Sequence, residues 1–408
     1  MVQKITPALS KKNFKSFLWH AGFLALATSF LDIDTIVPAM LIEAGGTSMH
    51  IGLMAAILTG GSSFTQILFA PYVSNKPFKK KYLLFGINTR MFSLLGLGII
   101  LFYLSTDNQN HLLWLIFLFI TIFAVGGAFA NVSYTDIVGK SILQDSRKSF
   151  FSSKQMLYGV VLVISAFLAK HVIASSEFPV NYAYAILIGF MALSLASLGF
   201  WNIRETIPAT LRIRNFNEFL KIMRLELKNN PRLGYFLGFV NTQGVIIGFL
   251  PFVLLYAKEN FHLDSSGTGT LLIFKISGSV LISILVFLFS KKIKYCKLLY
   301  INNILAISLP LMILIPKSTP PFFLIFLAGG IVFALYSITM NGVLLEISGN
   351  HNRAIYAGFS GAGNIIPAVF PLLGGWMIKT ISFESFFILF IIIVTTALFF
   401  IYKIRCTK

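Results

Sequence analysis

Charge is scarce in this chain: Asp, Glu, Lys and Arg make up 12% of its 408 residues, against about 25% in a typical soluble domain. Acids are scarcer still, 14 against 33 Lys plus Arg. Hydrophobic residues reach 56% and the mean hydropathy is +0.82, which excludes a soluble globular protein. Apolar runs long enough to cross about 30 Å of hydrocarbon recur along the whole sequence, so no soluble domain of appreciable size is left over. Cysteine is nearly absent. Cys296 and Cys406 sit in no metal-binding or redox spacing and are expected to stay reduced. No nucleophile constellation, metal cluster or phosphate loop is visible, so the chain is not expected to be an enzyme or to hold a cofactor.

The basic residues are plentiful, and the net charge of +19 invites a nucleic-acid reading until they are placed along the apolar runs. One set of connections holds Lys4, Lys11, Lys12, Lys15, Lys76, Lys79, Lys80, Lys81, Lys140, Arg147, Lys148, the stretch from Arg204 to Arg232, Lys291, Lys292, Lys294, Lys297, Arg353, Lys403, Arg405 and Lys408. The alternate connections hold Lys170, Lys258, Lys317 and Lys379. By the positive-inside rule the first set is cytosolic. Both termini are then inside, in a plasma membrane of the bacterial inner-membrane type, with anionic lipid and not nucleic acid as the partner of the excess charge. The first apolar run follows basic residues and has no small-residue cleavage site, so it reads as a retained span.

Hydrophobic runs set against turn residues give about twelve spans: 17–42, 49–73, 82–104, 112–137, 150–173 and 182–201, then 233–256, 267–290, 298–315, 322–347, 355–378 and 386–404. Residues 204–232 form the longest connection, and the spacing of Phe216, Phe219, Leu220, Met223 and Leu225 predicts an amphipathic helix on the inner membrane surface. Landmarks recur at about half the chain length. Pro38 and Pro251 are 251 − 38 = 213 apart, Arg147 and Arg353 are 353 − 147 = 206 apart, and the basic stretches 74–81 and 290–297 match. The chain is expected to be an internal repeat of two six-span halves.

Six plus six spans, a long central connection and basic loops after the second and eighth spans resemble the major facilitator superfamily across essentially the whole chain. Where that family has Gly-x-x-x-Asp-Arg/Lys-x-Gly-Arg/Lys-Arg/Lys, this chain keeps Lys76, Lys79 and Lys80 but has Asn75 for the acid. The fifth-span signature of drug antiporters is missing from 157–166. The resemblance implies an all-α membrane protein of twelve transmembrane helices in two pseudo-symmetric bundles, 1–203 and 233–408, joined by the cytosolic 204–232. It also implies that spans 1, 4, 7 and 10 line a central cavity.

The first span carries Leu31-Asp32-Ile33-Asp34-Thr35. Each acid at membrane depth costs about 2.5–3.5 kcal/mol, so the pair needs partners, water or protons. On a continuous helix the two side chains point about 200° apart. Counting the helical rise places Asp34 level with Lys275, and Asp32 level with Arg90, each about 12–15 Å from a membrane face. The expected pairs are Asp34 with Lys275 across the two halves and Asp32 with Arg90 in the first. The repeat counterparts of the acids are Val245 and Ile247, so the charges break the repeat, as a site would. Asn131, Tyr134, Gln155, Tyr158, Asn241, Gln243, Tyr336, Asn341, Asn364 and Gln66 are further polar candidates in the spans. Asp136 with Arg147 or Lys154, and Glu346 with Arg353, are candidate inside-gate pairs. The glycine-rich 358–364 reads as a packing surface.

These features point to a monomeric secondary transporter moving a small organic solute by alternating access, driven by protons through Asp32 and Asp34. A lipid or amphiphile flippase or a drug exporter of the same fold is the alternative; a channel or a membrane-embedded sensor is a further one.

Overall fold

The computed structural model describes residues 5–61, 63, 69, 72–73, 75–103, 109–208, 216–289, 293–313, 318–348 and 364–404. Every regular element among them is helical, as hydrocarbon demands of a chain that must satisfy its own backbone polar groups. In order these are α1 (Pro7–Phe30), α2 (Ile36–Glu43), α3 (Ser48–Ala56) running into a π turn (Ile57–Gly61), α4 (Lys80–Tyr103), α5 (Gln109–Ser141), α6 (Gln144–Ala174), α7 (Val180–Asn202), α8 (Phe216–Asn229), α9 (Pro231–Gln243), a 3₁₀ turn (Gly244–Gly248), α10 (Leu250–Phe261), α11 (Ser265–Leu288), α12 (Tyr295–Ile313), α13 (Pro320–Ser348), α14 (Ile365–Thr380) and α15 (Phe383–Ile404). Among the described residues nine helical stretches are long and apolar enough to cross a membrane, and Ser48–Gly61 and Ile365–Thr380 are shorter apolar helices. The chain is a multi-pass integral membrane protein.

The first span is not one helix. α1 opens on Thr6, whose hydroxyl accepts from Leu9 N at 3.3 Å, and stops at Phe30. Residues 31–35 are non-helical before α2 begins. The seventh span breaks in the same place: α9 ends at Gln243 and the 3₁₀ turn covers Gly244–Gly248. The offsets 244 − 31 = 213 and 248 − 35 = 213 equal the separation of Pro38 from Pro251. Proline lacks an N–H and is favoured in a helix's first turn, and at both places a helix restarts just ahead of it.

The helices gather into two compact units, one of Met1–Asp32 with Gly61–Leu220, the other of Ile33–Gly60 with Lys221–Lys408. In the first, α1 packs on α6 and α7, and α4 on α5 and α7. Phe17, Phe150 and Phe200 surround Tyr134 in its core. Asn13 pins the N-terminal end of α1 by donating to Ser141 O and Arg204 O and accepting from Arg204 N at 3.0 Å.

In the second unit α3 lies against α14, where Ser48 Oγ donates to Gly375 O at 3.0 Å. There α11 packs on α13 and α9 on α15. Phe249, from the turn after α9, stacks on Phe390 at 4.1 Å beside Phe386 and Phe387. Residues 33–60 belong to this unit, because the break at 31–35 frees α2 and α3 from the direction of α1. Cys296 is disulfide-bonded, contrary to the expectation of reduced thiols.

Candidate functional site

Asp34 sits in the interruption itself, where the chain has left one helix and not yet entered the next. Its Oδ2 is 2.5 Å from Nζ of Lys275 on α11. Both residues are almost fully enclosed, at 3% and 7% exposure. Lys275 can lie this deep because α13 presents Gly330 to it, where any Cβ would run into the Lys275 backbone. The ammonium also lies 5.9 Å from the Phe333 ring. At the other end of α2, Glu43 Oε1 meets Lys258 Nζ of α10 at 2.7 Å and accepts from Ser265 Oγ, the first residue of α11, at 3.3 Å. The short helix α2 is therefore held to α10 and α11 by an ion pair at each end, about 13 Å apart along the rise.

The level match of Asp34 and Lys275 thus becomes a contact, and that of Asp32 and Arg90 does not. Asp32 is buried at 7% exposure, but among the described residues no ion pair joins it to Arg90. The angular expectation assumed an unbroken helix, and the break at Leu31 removes it. Arg90 instead lays its guanidinium over the Phe123 ring at 4.0 Å, and its buried Nε has no hydrogen-bond partner.

Of the polar candidates in the first unit, Tyr134 Oη accepts from Lys154 Nζ at 2.9 Å, and Tyr158 Oη donates to Thr28 Oγ1 at 3.2 Å. Asn131 and Gln155 are exposed on α5 and α6. In the second unit three candidates brace the other interruption. Gln243, the last residue of α9, accepts from Asn303 Nδ2 at 2.8 Å, Tyr336 Oη donates to Val240 O at 3.4 Å, and Asn241 Oδ1 accepts from Ile366 N at 3.0 Å. Asn341 donates to Ser337 O of its own helix, and Asn364 stands at the N-cap position of α14 without a side-chain capping bond.

Of the expected inside-gate pairs, that of Asp136 is corrected. Asp136 meets Lys79 at 3.2 Å and Lys140 at 2.7 Å, not Arg147 or Lys154. Arg147 turns to the carbonyls of Ile142 and Gly139 at the end of α5, and Lys154 points to Tyr134. Glu346 meets Arg232 at 3.1 Å; Arg353 and Gln66 lie outside the described residues. The sequence reading passed over Glu205, which ties the start of α4 to the end of α5 in the first unit. Its carboxylate accepts from Lys79 N and Lys80 N at the start of α4 and meets Lys140 Nζ at 2.6 Å. An acid just past a helix end, opposite a basic loop, was the available signal. His20 was passed over too: it is buried in α1, with Nδ1 3.1 Å from Ala196 O and its ring stacked on Phe200 at 3.7 Å. An imidazole inside an apolar run marks it.

A helical membrane protein with a buried ion pair at a broken span has the build of a secondary transporter. A profile of the Major Facilitator Superfamily matches residues 18–364, and the chain belongs to that family of transporters; it is not an enzyme. The fold is similar to those of the nucleoside transporter NupG (TM-score 0.69, 15% identity, covering 96% of this chain and 100% of that one), a POT family transporter in complex with a thioalcohol-conjugated peptide (0.71, 12%, 96% and 96%) and a D-xylose-proton symporter (0.68, 14%, 95% and 96%). No curated protein matches the sequence significantly.

Proposed function

We propose that this transporter is proton-coupled, moves a small organic solute by alternating access of its two six-span halves, and uses Asp34 as the coupling residue with Lys275 as its partner. The observation that carries this is the enclosed 2.5 Å ion pair at the break of the first span. While Lys275 is in place the carboxylate stays ionised. Movement of α2 away from α10 and α11 removes the cation and strands a charge in a poorly solvated site, and taking up a proton neutralises it. The break supports this reading because it lets α2 move as a lever separate from α1. The Glu43–Lys258 pair would part in the same motion. The protein works as a monomer in a plasma membrane of bacterial inner-membrane type, with both termini and residues 204–232 in the cytosol.

The test uses purified protein in proteoliposomes and a solute found by thermal-shift screening of metabolites. Asp34→Asn abolishes uphill accumulation under an imposed pH difference and spares exchange of solute present on both sides, since exchange needs no net proton movement. Accumulation by Asp34→Asn at the wild-type level contradicts the assignment.

A further inference from the structure

Among the described residues, Arg90 and Lys154 are two helix-borne cations that no ion pair takes up. Lys275 is neutralised by Asp34, and Lys79 and Lys140 by Asp136 and Glu205. Arg90 on α4 and Lys154 on α6 meet no acid among the described residues. Arg90 faces a ring, which accepts none of its five N–H groups in the way a carboxylate does, and its Nε is enclosed and unpartnered. Lys154 has one neutral partner, the Tyr134 hydroxyl. The rings and the hydroxyl repay part of the cost of desolvating a guanidinium and an ammonium, but among the described residues no acid neutralises either charge.

The two are mounted along one helix. Phe123, Gly127, Asn131 and Tyr134 recur on α5 at spacings of four, four and three, which puts them on one face. The Arg90 guanidinium lies over the Phe123 ring, and its stem passes Gly126, where a Cβ would crowd Arg90 Cγ at 3.1 Å; at Gly127 a Cβ would stand in ordinary contact, 3.7 Å from Arg90 Nε. Eleven residues after Phe123, Tyr134 holds Lys154. The helical rise separates the two rings by about 16 Å, with the exposed amide of Asn131 between them. Both cations also act electrostatically on the buried His20.

We infer that the transported solute is an organic anion, bound in the first unit along this face of α5, with acidic or acceptor groups directed to Arg90 and Lys154. This rests on the transporter reading above and deepens it. Arginine at one end suits a carboxylate or phosphate taken by two N–H groups; lysine at the other supplies a point charge. A neutral solute would leave both cations uncompensated, and a cationic one would add to them.

Solid-supported-membrane recordings on proteoliposomes test this with succinate, citrate and glucose 6-phosphate against glucose, uridine, choline and arginine. The expected result is transport current from at least one of the three anions and from none of the other four. Arg90→Gln and Lys154→Gln should each raise the half-saturating anion concentration tenfold or more, with Arg90→Lys between Arg90→Gln and wild type. Lys154 is only half-buried, so Lys154→Gln keeps the test open if the Arg90 variants fail to fold. Currents from a neutral or cationic solute that both Gln variants leave unchanged overturn the inference, as does a panel in which no anion is moved. An anion that stabilises the protein thermally through Arg90 and Lys154 but undergoes no counterflow contradicts the transporter reading and leaves the anion site standing.

Discussion

The interruption at 31–35 and its counterpart at 244–248 share a position in the repeat and differ in chemistry. The first carries Asp32 and Asp34; the second has Val245 and Ile247 in their places. At the second, the loose end of α9 is secured by neutral groups, Gln243 with Asn303 and Tyr336 with the Val240 carbonyl. Breaking the span therefore requires no acid. The break is a backbone feature that follows from a proline placed to restart a helix, and the charge is a separate addition made to one copy. A carboxylate added where packing does not need it, and matched by a lysine on another helix, is an expense of stability for which the proposed coupling role supplies a reason.

The largest expected effect breaks that comparison at its charged copy. Lys275→Met leaves Asp34 buried without its cation and should cost about 3–5 kcal/mol, whereas the double variant Asp34→Asn, Lys275→Met should recover most of it. Thermal unfolding in one detergent compares them. Ile247→Ala, at the neutral copy, should cost about 1–2 kcal/mol, as expected for trimming a partly buried apolar side chain. If Lys275→Met is as mild as Ile247→Ala, the two interruptions are energetically alike and the contrast between them fails.

A smaller effect separates two acids at the inner end of the first unit. Glu205, 3% exposed at its side chain, should cost about 2–3 kcal/mol as Glu205→Gln, because charged acceptors of two backbone N–H groups are strong. Asp136 is 32% exposed, so Asp136→Asn should cost about 1 kcal/mol or less. The smallest effect belongs to the outer tie of α2. With Glu43 21% exposed, Glu43→Gln should change unfolding by under about 1 kcal/mol, while raising the reactivity of a cysteine placed on α2 if the pair restrains that helix.

Much of this was legible in the sequence. Composition and run length fix the membrane class, because hydrocarbon leaves helices as the economical solution for these runs. The Asp34–Lys275 contact followed from counting rise along two spans, a quantity that a break near a span's middle changes little. Azimuth is different: it depends on every intervening residue staying helical, so the Asp32–Arg90 pairing did not survive the interruption. Pro38 was the visible warning. The inner acids were legible as residues and not as partners, since Glu205 reaches Lys79, Lys80 and Lys140 through tertiary packing that no spacing encodes. The stacking of Arg90 on Phe123 is of the same kind, with the small Gly126 beside the arginine stem its trace in sequence.

Proton movement itself tests the central claim most directly. Proteoliposomes loaded with a pH-sensitive dye, given solute outside and no initial pH difference, should acidify inside with wild-type protein as protons enter with solute. With Asp34→Asn the dye should stay silent while labelled solute still exchanges. A solute-driven proton flux of wild-type size through Asp34→Asn would contradict the account and return Asp32 as the coupling residue.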